Sequence, residues 1–327
     1  MRRLTVALAL LSITALPLAP ASASALAIVV NSGDASLSVL DASTGAELRR
    51  VPVLREPHHL ALSPSGKELL IGDAGGNEML FLDPITGEIR RRIPITDPYQ
   101  LQFSPNAKWL VVTGLARNQV DVYDAASMQL LHRFPASSMP SHIAYSPDST
   151  MAFVTLQGTN KLVAYNLTTM SVIWTSDIGK TPAGVIWHNN KLLVANMGTD
   201  SIVVADPVDG HVERSIRTGR GAHQIFPSPD GKILYVNNRV DGTTVAIDAR
   251  TLDPIHTYRI PGGPDCIDFA PDGKLWITQR FIQKVAILDP ATGTLQSVPV
   301  GRSPHGIFLT DGVLNKPTVN AGLRANR

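Results

Sequence analysis

The sequence predicts an all-β chain folded as a seven-bladed β-propeller of four-stranded blades, the last blade closed by N- and C-terminal strands together. Three observations carry this. First, a segment of about 41 residues recurs six times and breaks off early in a seventh copy, the copies opening at Pro57, Pro98, Pro140, Pro182, Ala222, Pro264 and Pro304. Second, each full copy holds four short runs rich in β-branched and aromatic residues, and a period of about 40 residues with four strands is that of one propeller blade. Third, the chain ends complement each other. Ahead of Pro57 stand Ala27-Ile28-Val29-Val30, Leu37-Ser38-Val39-Leu40-Asp41 and Leu48-Arg49-Arg50-Val51, the later strands of a copy without its first. After Pro304 stands only a first strand, His305-Gly306-Ile307-Phe308-Leu309. Joined, they complete a seventh blade and remove the open sheet edge.

The copy over 222–263 shows the elements in order. Gln224-Ile225-Phe226 is the first strand, Ser228-Pro229-Asp230-Gly231 a turn, and Ile233-Leu234-Tyr235-Val236 the second strand. A polar loop over 237–242 leads to Thr244-Val245-Ala246-Ile247-Asp248, and His256-Thr257-Tyr258-Arg259-Ile260 falls in the fourth strand. The Asp and Gly positions suit turns, because Gly tolerates positive φ and Asp bonds its own turn backbone. By the same reasoning Asp83 and Asp289, with Thr86 and Thr292, belong to turns, and Trp109 and Trp276, at comparable phases, pack between blades.

The run Ser228-Pro229-Asp230-Gly231-Lys232-Ile233-Leu234-Tyr235-Val236-Asn237-Asn238, followed by Thr244-Val245-Ala246-Ile247-Asp248, resembles the YVTN family of bacterial β-propeller repeat proteins. Pro57-His58-His59-Leu60-Ala61-Leu62-Ser63-Pro64-Ser65-Gly66-Lys67 and Ala270-Pro271-Asp272-Gly273-Lys274 carry related wording. The likeness spans essentially the whole mature chain. It is similar to exported YncE-type propellers and, more distantly, to the haem d1 propeller of cytochrome cd1 nitrite reductase. It implies the fold but no one activity, since one superfold hosts many. The fourth copy departs from the pattern, Trp187-His188-Asn189-Asn190-Lys191 replacing the Ser-Pro-Asp-Gly-Lys turn.

Residues 1–25 read as a secretory signal: Arg2 and Arg3 are the charged region, Leu4 to Leu16 the apolar stretch, and Ala21-Ser22-Ala23 or Ala23-Ser24-Ala25 the cleavage site. Pro17 and Pro20 interrupt the apolar run, which argues against a membrane-spanning helix and leaves no transmembrane segment after cleavage. The propeller then occupies 26–312, and 313–327 form a flexible C-terminal tail. Losing Arg2 and Arg3 takes the formal net charge of +2 to zero, so nothing draws the mature chain to nucleic acid or anionic membrane. Cys266 is the single cysteine, so no intramolecular disulfide forms and stability must come from packing.

Two sets of non-repeating residues converge on one mouth of the central channel. The first strand of each blade is innermost, and its opening pair brings His58 and His59, Tyr99 and Gln100, Ser141 and His142, Ala183 and Gly184, His223 and Gln224, Asp265 and Cys266, and His305 and Gly306. Five of the chain's nine histidines stand here, supplied by four blades. His58, His142, His223 and His305 are therefore candidate ligand-binding residues. As metal donors, with His59 and Cys266, they would suit Cu or Zn. Strand alternation sends His58 and His59 to opposite sides. The second set is the loops between second and third strands, whose cations Arg117, Arg239 and Arg280 could fork onto an anionic ligand.

Among familiar signatures, the sequence has no Gly-rich phosphate loop, zinc-protease helix, nucleophile elbow or paired-Cys motif. The favoured reading is an exported, periplasmic or secreted, monomeric and non-enzymatic propeller. It binds a small-molecule ligand or partner protein on the face carrying the blade-opening residues and inter-strand loops. The alternative is a metal- or cofactor-binding propeller, or a propeller enzyme (lactonase, lyase or redox), using the histidine ring.

Overall fold

A computed structural model describes residues 25–310. The expected signal lies outside these residues except for Ala25, and the expected tail lies wholly outside them. Among the described residues there is no helix; 28 strands form seven four-stranded antiparallel sheets. No helix there is long and apolar enough to cross a membrane.

Each blade is a meander from the channel outward. The innermost strands are Pro57–Leu62, Gln100–Phe103, Pro140–Tyr145, Pro182–His188, Ala222–Pro227, Pro264–Phe269 and Pro304–Leu309, in blades one to seven. Blade seven is the composite one: Pro304–Leu309 pairs with Leu26–Asn31, which pairs with Ser36–Asp41 and then Glu47–Pro52. The register Ala27↔Leu309, Ile28↔Phe308 and Val29↔Ile307 is the closure that the complementary chain ends predict.

The central strands are buried on both faces because every blade packs between two others. Leu69–Asp73 and Glu78–Leu82 are buried throughout, and Leu69-Leu70-Ile71 and Met79-Leu80-Phe81-Leu82 within them read as continuous apolar runs. The outermost strands face solvent and turn polar, as in Ile89–Pro94 with Arg90, Arg91 and Arg92. The apolar clusters straddle blade boundaries: Trp109, Val111 and Val122 of blade two meet Ile143, Tyr145 and Tyr165 of blade three. Trp276 of blade six likewise packs with Ile307 and Leu309 of blade seven. Both tryptophans thus sit where the repeat phase puts them.

The turn residues also act as expected. Asp83 Oδ1 accepts the backbone N–H groups of Ile85 and Thr86, at 2.8 and 2.9 Å, and Asp289 Oδ1 accepts that of Ala291 at 2.9 Å. The odd fourth turn has a simple cause. Asn189 and Asn190 both take positive φ, 47° and 61°, between the paired residues His188 and Lys191, so a two-residue hairpin replaces the longer loop.

A candidate ligand site at the channel mouth

The blade-opening residues reach the channel through an irregularity that repeats. In six of the seven blades the pairing of first and second strands slips by one residue at the opening pair, as between Pro57↔Asp73 and Leu60↔Ile71. Such a bulge puts one extra residue on the inner strand and re-aims its side chains. His58 and His59 therefore do not diverge as strict alternation predicts. Both rings are buried, and both pack against Tyr99 and His305.

Short side chains fix the bulges from below. Thr155 Oγ1 accepts the His142 N–H at 3.1 Å and donates to the Ala183 carbonyl of the next blade at 2.7 Å. Thr278 repeats this with the Cys266 N–H at 2.9 Å and the His305 carbonyl at 2.7 Å. Asn237 Nδ2 reaches the Asp265 carbonyl at 3.0 Å, and Thr113 Oγ1 the Ser141 carbonyl at 2.7 Å. At Gly72 the next blade comes so close that a Cβ would lie 2.2 Å from the Pro98 carbonyl oxygen. Four of the six bulges, those at Ser141, Ala183, Asp265 and His305, are thus tied to the preceding blade, which preorganises the side chains that they carry.

Five imidazoles gather at this level. Ring centroids lie 4.4 Å apart for His59 and His305, 5.1 Å for His58 and His305, 5.2 Å for His59 and His142, and 5.3 Å for His142 and His223. His58 Nε2 meets Glu56 Oε1 at 3.1 Å, and its Nδ1 meets His305 Nδ1 at 2.9 Å. His142 Nδ1 meets Ser141 Oγ at 3.1 Å. The Nε2 atoms of His59, His142, His223 and His305 are buried with no hydrogen-bond partner in the protein.

Asp265, fully buried, is the charge hub. Arg239 donates to its Oδ1 from Nη2 at 2.5 Å and from Nε at 3.1 Å, and Arg280 Nη1 donates to Oδ2 at 3.2 Å. His223 Nδ1 lies 3.0 Å from Oδ1, a close contact without hydrogen-bond alignment. Burial pushes the Asp265 carboxyl up, but Arg239 and the flanking His305 and His223 outweigh it and hold the group well below the usual carboxylate range.

Burial drives the imidazoles the other way. Desolvation, reinforced by neighbouring rings, sets His59 and His142 well below their ordinary value, and it outweighs Asp265 in doing the same to His305. His223 falls to about 4 through burial and Arg239, against the opposing pull of Asp265. Burial, then Asp265, raises the Cys266 thiol well above its usual range, and burial raises the Tyr99 phenol to about 12. At neutral pH these four imidazoles are neutral and carry lone pairs. Cys266 is a protonated thiol, a poor nucleophile until something displaces its proton. Asp265 has its oxygens committed to two guanidinium groups and is poorly placed to act as a base.

The sequence-derived candidates His58, His59, His142, His223, His305 and Cys266 all fall in this one cluster, and Arg239 and Arg280 reach its edge. Their guanidinium groups face Asp265. Arg117 is exposed, and its backbone N–H caps Asp97 Oδ2 at 2.7 Å. Three contributors were less legible: Tyr99, wedged among His58, His59 and His142; Glu56, one residue ahead of its repeat; and Asp265 as the hub.

The family model for YNCE-like beta-propellers matches residues 4–314. The chain belongs to that family. No curated protein matches its sequence. Among solved structures, this YNCE-like propeller is similar to dihydro-heme d1 dehydrogenase NirN in complex with DHE, at 15% identity and a TM-score of 0.67, covering 93% of this chain and 79% of that one. It is also similar to streptogramin B lyase, at 17% identity and 0.67, covering 78% and 88%. A functionally unknown protein from Desulfotomaculum acetoxidans matches at 14% identity and 0.73, covering 88% and 99%. At these identities the likeness is one of fold.

Proposed function

We propose that this chain is an exported, non-enzymatic propeller that holds a ligand at the channel mouth, on the face formed by the blade-opening bulges and the loops between second and third strands. The carrying observation is the set of unpartnered, buried Nε2 atoms contributed by His59, His142, His223 and His305 from four blades. A buried polar atom left unpaired costs about 1–3 kcal/mol, so four in one cluster favour a bound group that uses them. The neutral imidazoles, protonated thiol and neutralised carboxylate support binding rather than acid–base or nucleophilic chemistry. The same face also offers apolar contact, since Leu54, Val240 and Phe281 are exposed on its loops, and a cavity of about 220 Å³ lies between Arg239 and Phe281. Export rests on Arg2, Arg3 and the apolar run that follows them.

The test is native mass spectrometry of the full mature chain, purified under mild conditions, against the same sample denatured. The native form is expected to carry an extra mass that the His59→Ala/His223→Ala double variant lacks while still melting cooperatively. Equal native and denatured masses, or an adduct untouched by the double variant, would leave these histidines as residues that tie loops to strands.

A further inference from the structure

We propose that His59, Cys266 and His305 form a three-coordinate site for a soft monovalent metal ion, copper(I) being the ion the donor set fits. The inference rests on the ligand-binding reading above and names the ligand. One donor atom from each of the three residues lies within 4.8 Å of the other two, and all three residues are buried. A trigonal ion bonded at about 2.0–2.3 Å sets its donors roughly 3.5–4 Å apart, so modest side-chain rotations close the set. The thiolate is a soft donor of the kind that copper(I) selects, and the two imidazole nitrogens are borderline donors that suit copper as well.

A hydrogen-bond chain prepares His305 to ligate. Glu56 Oε1 accepts the Nε2–H of His58, at 3.1 Å, which leaves His58 Nδ1 as an acceptor. That atom accepts the Nδ1–H of His305, at 2.9 Å, and the lone pair of His305 is then on Nε2, which is buried without a hydrogen-bond partner and 3.7 Å from Asp265 Oδ2. A carboxylate acting through the far nitrogen of a ligating histidine is the usual outer support of a metal site; here it acts through a second histidine. His59 Nε2 is likewise buried and unpartnered.

Charge decides between ions. Arg239 and Arg280 are balanced by two carboxylates, Asp265, which both arginines bond, and Glu56 beside His58, so the surroundings are neutral overall. Copper(I) displacing the Cys266 proton forms a Cu–S bond, releases one H⁺ to solvent and keeps that balance; zinc(II) would leave one uncompensated positive charge in a desolvated place. The neighbouring set His223, Asp265 and His305 is also close enough to hold an ion, but its carboxylate is already bonded by both arginines.

The test is an anaerobic titration of the full mature chain with copper(I) against a chromophoric copper(I) chelator. One equivalent is expected to be retained, with an X-ray absorption spectrum fitted by one sulfur and two nitrogens. Cys266→Ser, close in size to the native residue, and His305→Ala should each lose the ion, circular dichroism confirming their fold. Glu56→Gln should bind about tenfold or more weakly at an unchanged melting temperature, a loss in the range measured for outer-shell partners. Retention of copper(I) by Cys266→Ser, failure of the native chain to compete, or tight uptake of zinc(II) alone would each overturn the assignment. A non-metal adduct lost in His59→Ala/His223→Ala would then sink copper while leaving the ligand-binding reading intact.

Discussion

The two faces of the propeller use the same residue types differently. On the turn face, aspartates serve their own turns: Asp41 Oδ1 accepts from Ser43 and Thr44, Asp83 Oδ1 from Ile85 and Thr86, and Asp248 Oδ1 from Arg250 and Thr251. On the channel face, Asp265 of blade six draws on Arg239 and His223 of blade five and faces His305 of blade seven. A residue that recurs with the repeat closes a local turn. A residue that breaks the repeat is free to gather partners from other blades, and there the candidate chemistry collects.

The largest effect should come from undoing the closure on which the channel face depends. Deleting the chain from Pro304 onward removes buried Ile307, Phe308 and Leu309. At about 1.5–3 kcal/mol for each buried apolar side chain, the loss approaches the whole stability of an ordinary domain. Thermal melting should show an early, aggregating transition; a melting temperature equal to that of the full mature chain would refute the closure. Asp265→Ala comes next. It leaves Arg239 and Arg280, each largely buried, without their counter-ion, and breaking such a pair costs about 3–5 kcal/mol. Urea unfolding would measure it, and a loss below about 1 kcal/mol would mean that solvent reaches the hub.

Acid should separate the faces further. His223 is neutral in the folded protein down to about 4, whereas an unfolded histidine takes up its proton near 6.5. Between those values the unfolded chain binds more protons, so stability falls as pH falls, by about 3 kcal/mol for this residue alone. Below that window Asp265, whose folded carboxyl is depressed, adds a loss of the same sign as it protonates. Denaturant midpoints of the chelator-treated mature chain from pH 7 to 4 should follow this slope; a flat profile would mean that the imidazoles are hydrated. The smallest effect belongs to the turn face. Asp83→Ala removes bonds within one turn and should cost about 1 kcal/mol in urea, with no change at the histidine cluster.

The repeat made the architecture readable because the same turn and strand residues recur in register, down to the blade shared by Leu26–Asn31 and Pro304–Leu309. The candidate site was readable as a set of residues but not as a geometry. Alternation separates His58 from His59, and only the bulge returns both to the channel. Its sequence signal, a Thr or Asn beneath many opening pairs such as Thr113, Thr155, Asn237 and Thr278, makes sense only once the cross-blade carbonyl is seen. Nor did Arg239 and Arg280 announce Asp265 as their common partner, since loops of polar residues carry no periodic pattern to place their side chains.

The composite blade also sets a timetable. The imidazoles of the channel mouth begin at His58 and end at His305, and the last is delivered by the strand that closes the ring. Contacts so distant in sequence form late, after much loop-closure entropy has been spent. A nascent chain can therefore fold its middle blades while its cluster lacks His305 and the cross-blade bond from Thr278. If the channel mouth binds a ligand as proposed, uptake is confined to finished molecules, and loading would report that the chain has closed.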